Sequence, residues 1–492
     1  MHTPSLAPPS DRRRSLGQPP LVAALFLALL LGGLGLRGAV GHTFTFLGSD
    51  SYAYMGAACE LWQHHHYRFR AAPWHRQHPT EEPGIGYGRP PGYAAFLAVL
   101  VRPVGDDYAA FPRIIKPVQW VLDIGTCVLV FAIASQLGGP FAAWPAFLLA
   151  LLNPFLILYS NAVLTETLAT FLVTLTFFLC STALRSDAQR ARRALLAAGV
   201  VMGLATLVRV DSLFLLCILP LLLVPRLRPC TLPARAVLAA ALAVGLVYGP
   251  WLARNWLVAG RPYPLGQLQD VRGRELTHTA YFSWFATWVE REDQLAATLY
   301  CLARPSCVAS VATYPAAAFD SAADRAELSR LFALRAQAGM TPEVDAGFRA
   351  LLTQRIARSP LRRYLWLPLR RAFHLWVNAN DQPLRSMAQS QRWPTLSSRA
   401  HTCLLPVKLG LDLLGCLGLL LVLFGRSPSG RRLALLFATA LLGRTAALSL
   451  TGLVEARYLL ELAPVLLSFA GAAAGLGLRF VLDRRHGRTG PG

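Results

Sequence analysis

The sequence predicts an all-α polytopic membrane protein with about ten transmembrane helices and two long external segments that carry interfacial helices. Three observations predict it. Of the 492 residues, 54% are hydrophobic and only 15% are charged, against about 25% charged in soluble domains. The mean hydropathy is +0.41. Apolar stretches of about 15 to 25 residues recur along the chain, the length that crosses a bilayer as a helix.

Residues 1–19 are rich in Pro and Ser and carry Arg12 to Arg14. The run Leu21 to Val40 that follows is longer than a signal-peptide core and is not followed by an A-x-A site, so it reads as an uncleaved first helix near 20–40. Further spans are expected near 113–137, 141–160, 163–184, 194–208, 210–225, 235–257, 404–424, 431–450 and 456–480, the pair 194–208 and 210–225 being short. The segment 41–112 contains an amphipathic helix starting at Ser49 or Asp50, with Tyr54, Ala57, Ala58 and Leu61 at helical spacing and Ser49 as N-cap. The segment 258–403 contains an Ala-rich helical stretch, Ala316 to Gly339, and the run Ser359 to Val377. Arg362, Arg363, Arg370 and Arg371 interrupt the apolar residues of that run, which fits a helix lying in the interface better than a span. The chain therefore divides into a tail (1–19), an N-terminal transmembrane module (20–257, including loop 41–112), a loop region (258–403), C-terminal membrane helices (404–480) and a second tail (481–492).

Arginine sets the orientation. It crowds the N-terminal tail, the turns after the fourth, sixth and eighth spans (Arg185 to Arg193, Arg226 to Arg235, Arg426 to Arg432) and the C-terminal tail, while the turns near Asn161, Val210 and Gly452 are less basic. Basic turns stay in the cytoplasm, so both termini are cytoplasmic and the two long segments lie outside. Lys116 and Lys408 are the only lysines, and the net charge of +22 is almost wholly arginine. No long basic tract accompanies it, so it reads as topology and lipid contact, with no nucleic-acid partner. No Gly-rich phosphate loop of a nucleotide-binding domain is found, and any reaction is expected at the membrane itself. Cys127, Cys180, Cys217, Cys230 and Cys416 lie in or beside apolar spans as small hydrophobes. Cys301 and Cys307 form either a disulfide or two free thiols.

This topology brings several polar residues to one surface. Asp50 follows the first span, where a carboxylate can take the proton of an attacking hydroxyl or merely cap a helix. Arg89 opens Arg-Pro-Pro-Gly-Tyr, whose prolines fix an extended backbone beside the apolar run Tyr93 to Val101. A guanidinium held so can fork onto a phosphate or meet lipid headgroups. Glu166, at the outer end of the fourth span with no cation among its chain neighbours, is a functional candidate by its setting. Arg209 and Asp211 can neutralise each other. Arg254 sits in the aromatic belt Trp251 to Trp256, and Arg457 follows Glu455 at the last span. Being two apart, Glu455 and Arg457 are expected on different sides of a helix. His64, His65, His66, His75 and His78 lack the i, i+4 spacing of a helical metal site. No metal or other cofactor is therefore expected, and phosphate charge falls to the arginines.

Taken in order, Asp50 with Tyr54, Arg89-Pro-Pro-Gly-Tyr93, Gln119, Thr165-Glu166, Gly203-Leu-Ala with Arg209, Arg254-Asn255 and Glu455-Ala-Arg457-Tyr458 form a series. It resembles the GT-C glycosyltransferases that use polyprenyl-phosphate sugars, such as protein O-mannosyltransferases and the lipid A aminoarabinose transferase. The likeness covers roughly residues 20–260 and 355–480. The resemblance implies a multi-helix fold with its site at the external membrane surface, in a bacterial inner membrane. It implies Asp50 as the catalytic acid of the first loop, Arg89 on the lipid phosphate, and Glu166 as a second carboxylate. Protein O-mannosyltransferases pair the first-loop Asp with Glu, whereas Ser51 follows Asp50 here.

The expected activity is inverting transfer of a sugar from a polyprenyl-phosphate donor, on undecaprenyl phosphate or a similar lipid, to an external glycan, lipid or protein hydroxyl. Asp50 is the expected base, with Arg89, Arg254 and Arg457 on the phosphate. The alternative is a transporter or flippase of lipid-linked sugars, which needs midplane polar groups or broken helices; the helix middles read as nearly free of charge except at Asp123 and Asp412.

Overall fold

The structure, a computed structural model, describes residues 20–69, 84–85, 89–102, 104–105, 107–224, 233–259, 279–294, 311–339, 341–378, 394–452 and 454–487. Both tails (1–19 and 488–492), Cys230, Cys301, Cys307, His75 and His78 lie outside the described residues. What is described is an all-α membrane protein. Among the described residues, eight helices are long and apolar enough to cross a bilayer, and a bent pair can make a ninth. They are α1 (Pro20–Thr43), α4 (Phe111–Gly138), α7 (Glu166–Ala183), α8 (Ala188–Val208), α10 (Ala234–Ala259), α15 (Pro394–Leu423), α16 (Pro428–Thr451) and α17 (Ala463–Gly487), the last preceded by a 3-10 turn over Ala456–Leu462.

Three of the ten expected spans differ from a simple helix, among them 456–480, which opens as the 3-10 turn before α17. The stretch 141–160 is broken into α5 (Pro140–Leu151) and α6 (Pro154–Ser160), bent by 50°. Pro154 cannot extend a helix backwards, and Asn153 accepts from the amides of Phe155 and Leu156 to start a new one. The stretch 210–225 is a 3-10 segment, Val210–Cys217, running into the short α9 (Ile218–Leu223).

The spans pack through small residues, as close helix contact without water requires. A Cβ on Gly199 of α8 would lie 2.3 Å from the Ala240 carbonyl of α10, and one on Gly471 of α17 would lie 2.4 Å from that of Ala142 in α5. Leu238, Leu242 and Leu246, one stripe of α10, are 60% to 68% exposed and face lipid. Charges inside the spans are mutually engaged. Arg37 of α1 donates to Asp123 of α4 at 2.6 Å, both buried, and also to the carbonyls of Gly33 and Leu151. Arg37, Arg444 and Glu461 are also buried within apolar segments, each off-centre toward one end of its segment.

In the first loop lie α2 (Ser49–His64), a two-residue antiparallel strand pair, Arg68–Phe69 with Gly84–Ile85, and α3 (Gly92–Val101). The N-cap of α2 is Gly48 rather than Ser49, and its amide donates to Ser51 Oγ. His65 closes α2 with a left-handed backbone. The second loop region holds α11 (Thr279–Phe285), α12 (Ala322–Ala338) and α13 (Pro342–Arg358) around Tyr281, Trp284, Trp288, Tyr314 and Phe348. A strongly amphipathic helix follows, a π-turn over Arg362–Trp366 continuing as α14 (Leu367–Val377). Leu367, Arg371 and Leu375 face inward, while Leu365, Leu369 and Phe373 are exposed. Arg371 fastens the region to the spans by donating to the carbonyls of Ala286, Val289 and Ser449.

Candidate active site

Alternating spans bring the end of α1, the starts of α4 and α7, the ends of α8 and α16 and the turn before α17 to one end of the bundle. Cross-links fix that end. Lys116 of α4 donates to the carbonyl of Gly41 in the last turn of α1 and to the Thr45 hydroxyl just after it. Gln119 donates to the carbonyls of Ser160 and Ala162 and accepts from Tyr93 of α3.

Asp50, in the first turn of α2, binds two arginines far apart in sequence. Its Oδ1 accepts from Arg89 at 2.8 Å and its Oδ2 from Arg457 at 3.2 Å. The carboxylate therefore does not cap the helix. Burial opposes its charge, but the guanidiniums of Arg89 and Arg457 outweigh this and hold the Asp50 carboxyl well below the usual carboxylate range. The prolines after Arg89 hold the chain where its guanidinium also lies 5.1 Å over the Tyr54 ring. Tyr54 in turn meets Tyr93 edge to face at 5.2 Å.

Arg457 connects this outer pair to a buried inner group. It lies 3.7 Å from Glu166 and forms an ion pair with Glu455. Glu455 and Arg457 meet despite their spacing because Glu455 has an extended backbone at the start of a 3-10 turn. Burial raises the Glu455 carboxyl above its ordinary value; Arg457 opposes this, and Asp50 and Glu292 add to it. Glu166, for which the sequence offered no local cation, has two from distant elements, Arg457 and, at 3.3 Å, Arg209. Arg209 also binds Asp211 at 3.1 Å and Glu461 at 2.7 Å, so its bond to Asp211 is one of several. Arg444 completes the group by binding Asp211 and Glu461 and donating to the Tyr458 carbonyl. The Tyr458 ring lies under both Arg209 and Arg457.

Arg444 and Glu461 are absent from the residues singled out by sequence. The signal was a charge inside each of the last two expected spans. Arg254 stands one ring away, stacked over Tyr67 and Trp251 and donating to the Tyr67 carbonyl. The Tyr67 hydroxyl donates to the carbonyls of Arg89 and Pro90, which ties Arg254 to the Arg89 loop. Among the described residues, no group of three or more His, Cys, Asp or Glu side chains could hold a metal ion.

No protein-family model matches the sequence, and no curated protein matches it. Among solved structures the chain is similar to ArnT from Cupriavidus metallidurans in the apo state, at 15% identity and a TM-score of 0.40, over 89% of this chain and 77% of that one. The same protein bound to undecaprenyl phosphate matches at 14% identity and a TM-score of 0.40, with the same coverage. The archaeal oligosaccharyltransferase AglB from Archaeoglobus fulgidus, in complex with an inhibitory peptide and a dolichol-phosphate, matches at 13% identity and a TM-score of 0.46, over 96% of this chain and 52% of that one.

Proposed function

We propose that this protein is a membrane glycosyltransferase that moves a sugar from a polyprenyl-phosphate donor to a hydroxyl acceptor, with inversion. The observation that carries the reading is the partly exposed Asp50 carboxylate, 31% open to solvent, held between Arg89 and Arg457 at the membrane end of the bundle. Two guanidiniums spaced by one carboxylate are also spaced for one phosphate, which offers the same pairs of anionic oxygens.

The connected group contains four guanidiniums (Arg89, Arg209, Arg444, Arg457) and five carboxylates (Asp50, Glu166, Asp211, Glu455, Glu461). It has no surplus positive charge, so a donor phosphate must compete with Asp50 for Arg89 and Arg457, with Arg254 in the adjoining layer. That exchange does two things at once. It seats the leaving group among cations, and it frees a carboxylate whose proton affinity rises as its partners turn to the phosphate. Asp50 then takes the acceptor proton as the acceptor oxygen bonds to the anomeric carbon. The carbon–oxygen bond to the phosphate breaks, and the electron pair leaves on polyprenyl phosphate, whose growing charge Arg89 and Arg457 stabilise. Glu166 keeps Arg457 and Arg209 in register. By the distribution of basic turns, this end faces away from the cytoplasm.

The broken α5–α6 pair favours a second reading, transport of a lipid-linked sugar, since broken helices recur in transporters. The break, however, is capped by Asn153, and the nearby mid-span charge Arg37 is engaged with Asp123. The deciding experiment is sugar transfer by purified protein in lipid, with labelled polyprenyl-phosphate sugars and envelope acceptors, wild type beside Asp50→Asn. Transfer that collapses in the variant supports the enzyme; donor binding without transfer by wild type moves the reading to transport.

A further inference from the structure

A second cationic site lies away from Asp50, where α13 meets the amphipathic helix. Helix α13 stops at Ser359 and the chain restarts as a helix at Pro360, and the break opens a cavity of about 180 Å³ lined by Thr287, Asp320, Arg355, Arg358, Arg362 and Arg363. Three of these arginines share one acid. Asp320 lies 3.2 Å from Arg355, 3.9 Å from Arg358 and 3.5 Å from Arg362. Asp324 takes Arg358 at 3.0 Å, and Arg363 donates to the Leu450 carbonyl. Four guanidiniums therefore face two carboxylates. Arg355 is 5% exposed and anchored on the carbonyls of Ala317 and Ala318, which makes it a fixed floor. Arg358 and Arg362, 46% and 34% exposed, form the open rim.

What borders the cavity identifies its occupant. Leu361, Leu365, Leu369 and Phe373 repeat every four residues and are 55% to 73% exposed, with Tyr364 and Trp366 beside them at 59% and 58%. An exposed apolar stripe with flanking aromatics on a basic helix seats itself among acyl chains at the headgroup level. The arginines then lie at phosphate depth. The site is separate from the catalytic one. Sixteen residues of helix, about 24 Å at 1.5 Å per residue, run from Arg362 to Val377, and the next residue, Asn378, donates to Glu292 on the Glu455 side.

We infer that the cavity floored by Arg355 and rimmed by Arg358, Arg362 and Arg363 binds the phosphate headgroup of an anionic membrane lipid, independently of the sugar donor. The lipid holds the loop region against the bilayer while the distant Asp50 site turns over.

The test is native mass spectrometry of the full-length protein equilibrated with equal amounts of phosphatidylglycerol and phosphatidylcholine. Wild type is expected to retain phosphatidylglycerol with about tenfold preference, and Arg358→Gln/Arg362→Gln to lose most of it. Undecaprenyl phosphate binding should stay unchanged in that variant. Asp320→Asn, which removes a carboxylate and no cation, should raise the preference severalfold and keeps the test sharp if the arginine variant folds poorly. Equal retention of the two lipids by wild type, or a preference untouched in both variants, overturns the inference. Displacement of the lipid by millimolar inorganic phosphate would assign the cavity to a soluble anion instead, and equally overturns it.

Discussion

Asp50 and Glu461 are both carboxylates gripped by two arginines, yet one is open and the other sealed. Asp50 binds Arg89 and Arg457 with 31% of its side chain exposed. Glu461 binds Arg209 and Arg444 with none exposed. A sealed ion pair cannot exchange partners with anything arriving from outside, and removing one member strands a buried charge. An open one loses little by exchange, because water and incoming anions compensate each charge as it is released. The inner group therefore holds geometry, and under the proposed function the outer group is where a donor phosphate would act.

The largest effect should separate the two directly. Asp50→Asn is expected to lower sugar transfer by about 10²- to 10⁴-fold, the usual contribution of a general base, with only a modest loss of stability at neutral pH. Glu461→Gln should do the reverse, destabilising the fold by about 3–5 kcal/mol and leaving the donor affinity of the folded fraction intact. Parallel thermal melts and transfer assays read both. If the two variants lost stability equally, the distinction between open and sealed pairs would fall.

A smaller effect sharpens the outer half. Arg89→Lys keeps a charge but not the planar fork that spans two oxygens. Loss of one charge-assisted bond of about 1.5–3 kcal/mol should appear as a raised KM for the donor, tenfold or more, with a lesser change in kcat. A kcat loss alone would place Arg89 away from the ground-state phosphate.

The outer group is legible in the sequence and only part of the inner group is, for a physical reason. Asp50, Arg89, Glu166, Arg209 and Arg457 stand at the edges of apolar runs, where a charge is conspicuous. Arg444 and Glu461 sit inside apolar runs, and Arg444 meets Asp211 across more than two hundred residues of chain; an average over a hydrophobic window hides them. The same averaging ran 141–160 together as one span, although Asn153-Pro154 carries both a cap and a helix stop. Span 194–208 reads as short because Arg190, Arg192 and Arg193 break the apolar run, whereas the helix starts at Ala188 and is 21 residues long. Glu455 and Arg457 pair, against the expectation from helical spacing, because the backbone there is extended and then 3-10.

The least dramatic prediction tests the exchange itself. In the donor-free protein the Asp50 carboxyl is held below its ordinary value by Arg89 and Arg457, against the effect of burial. A depressed carboxyl contributes stability above its unfolded pKa of about 3.9 and loses it as pH falls through the folded value. The stability difference between wild type and Asp50→Asn should therefore be flat from about pH 5 to 8 and shrink only in stronger acid. Kinetics should behave differently. The acid limb of kcat/KM reports free enzyme, in which Asp50 still has both arginines, whereas that of kcat reports the donor complex, in which they have turned to phosphate. The kcat limb should lie higher by on the order of one pH unit. A phosphodiester donor keeps its single charge across that range, so the displacement belongs to the protein. Coincident limbs would mean that Asp50 keeps its arginines throughout the reaction, and the base would have to be sought elsewhere in the cluster.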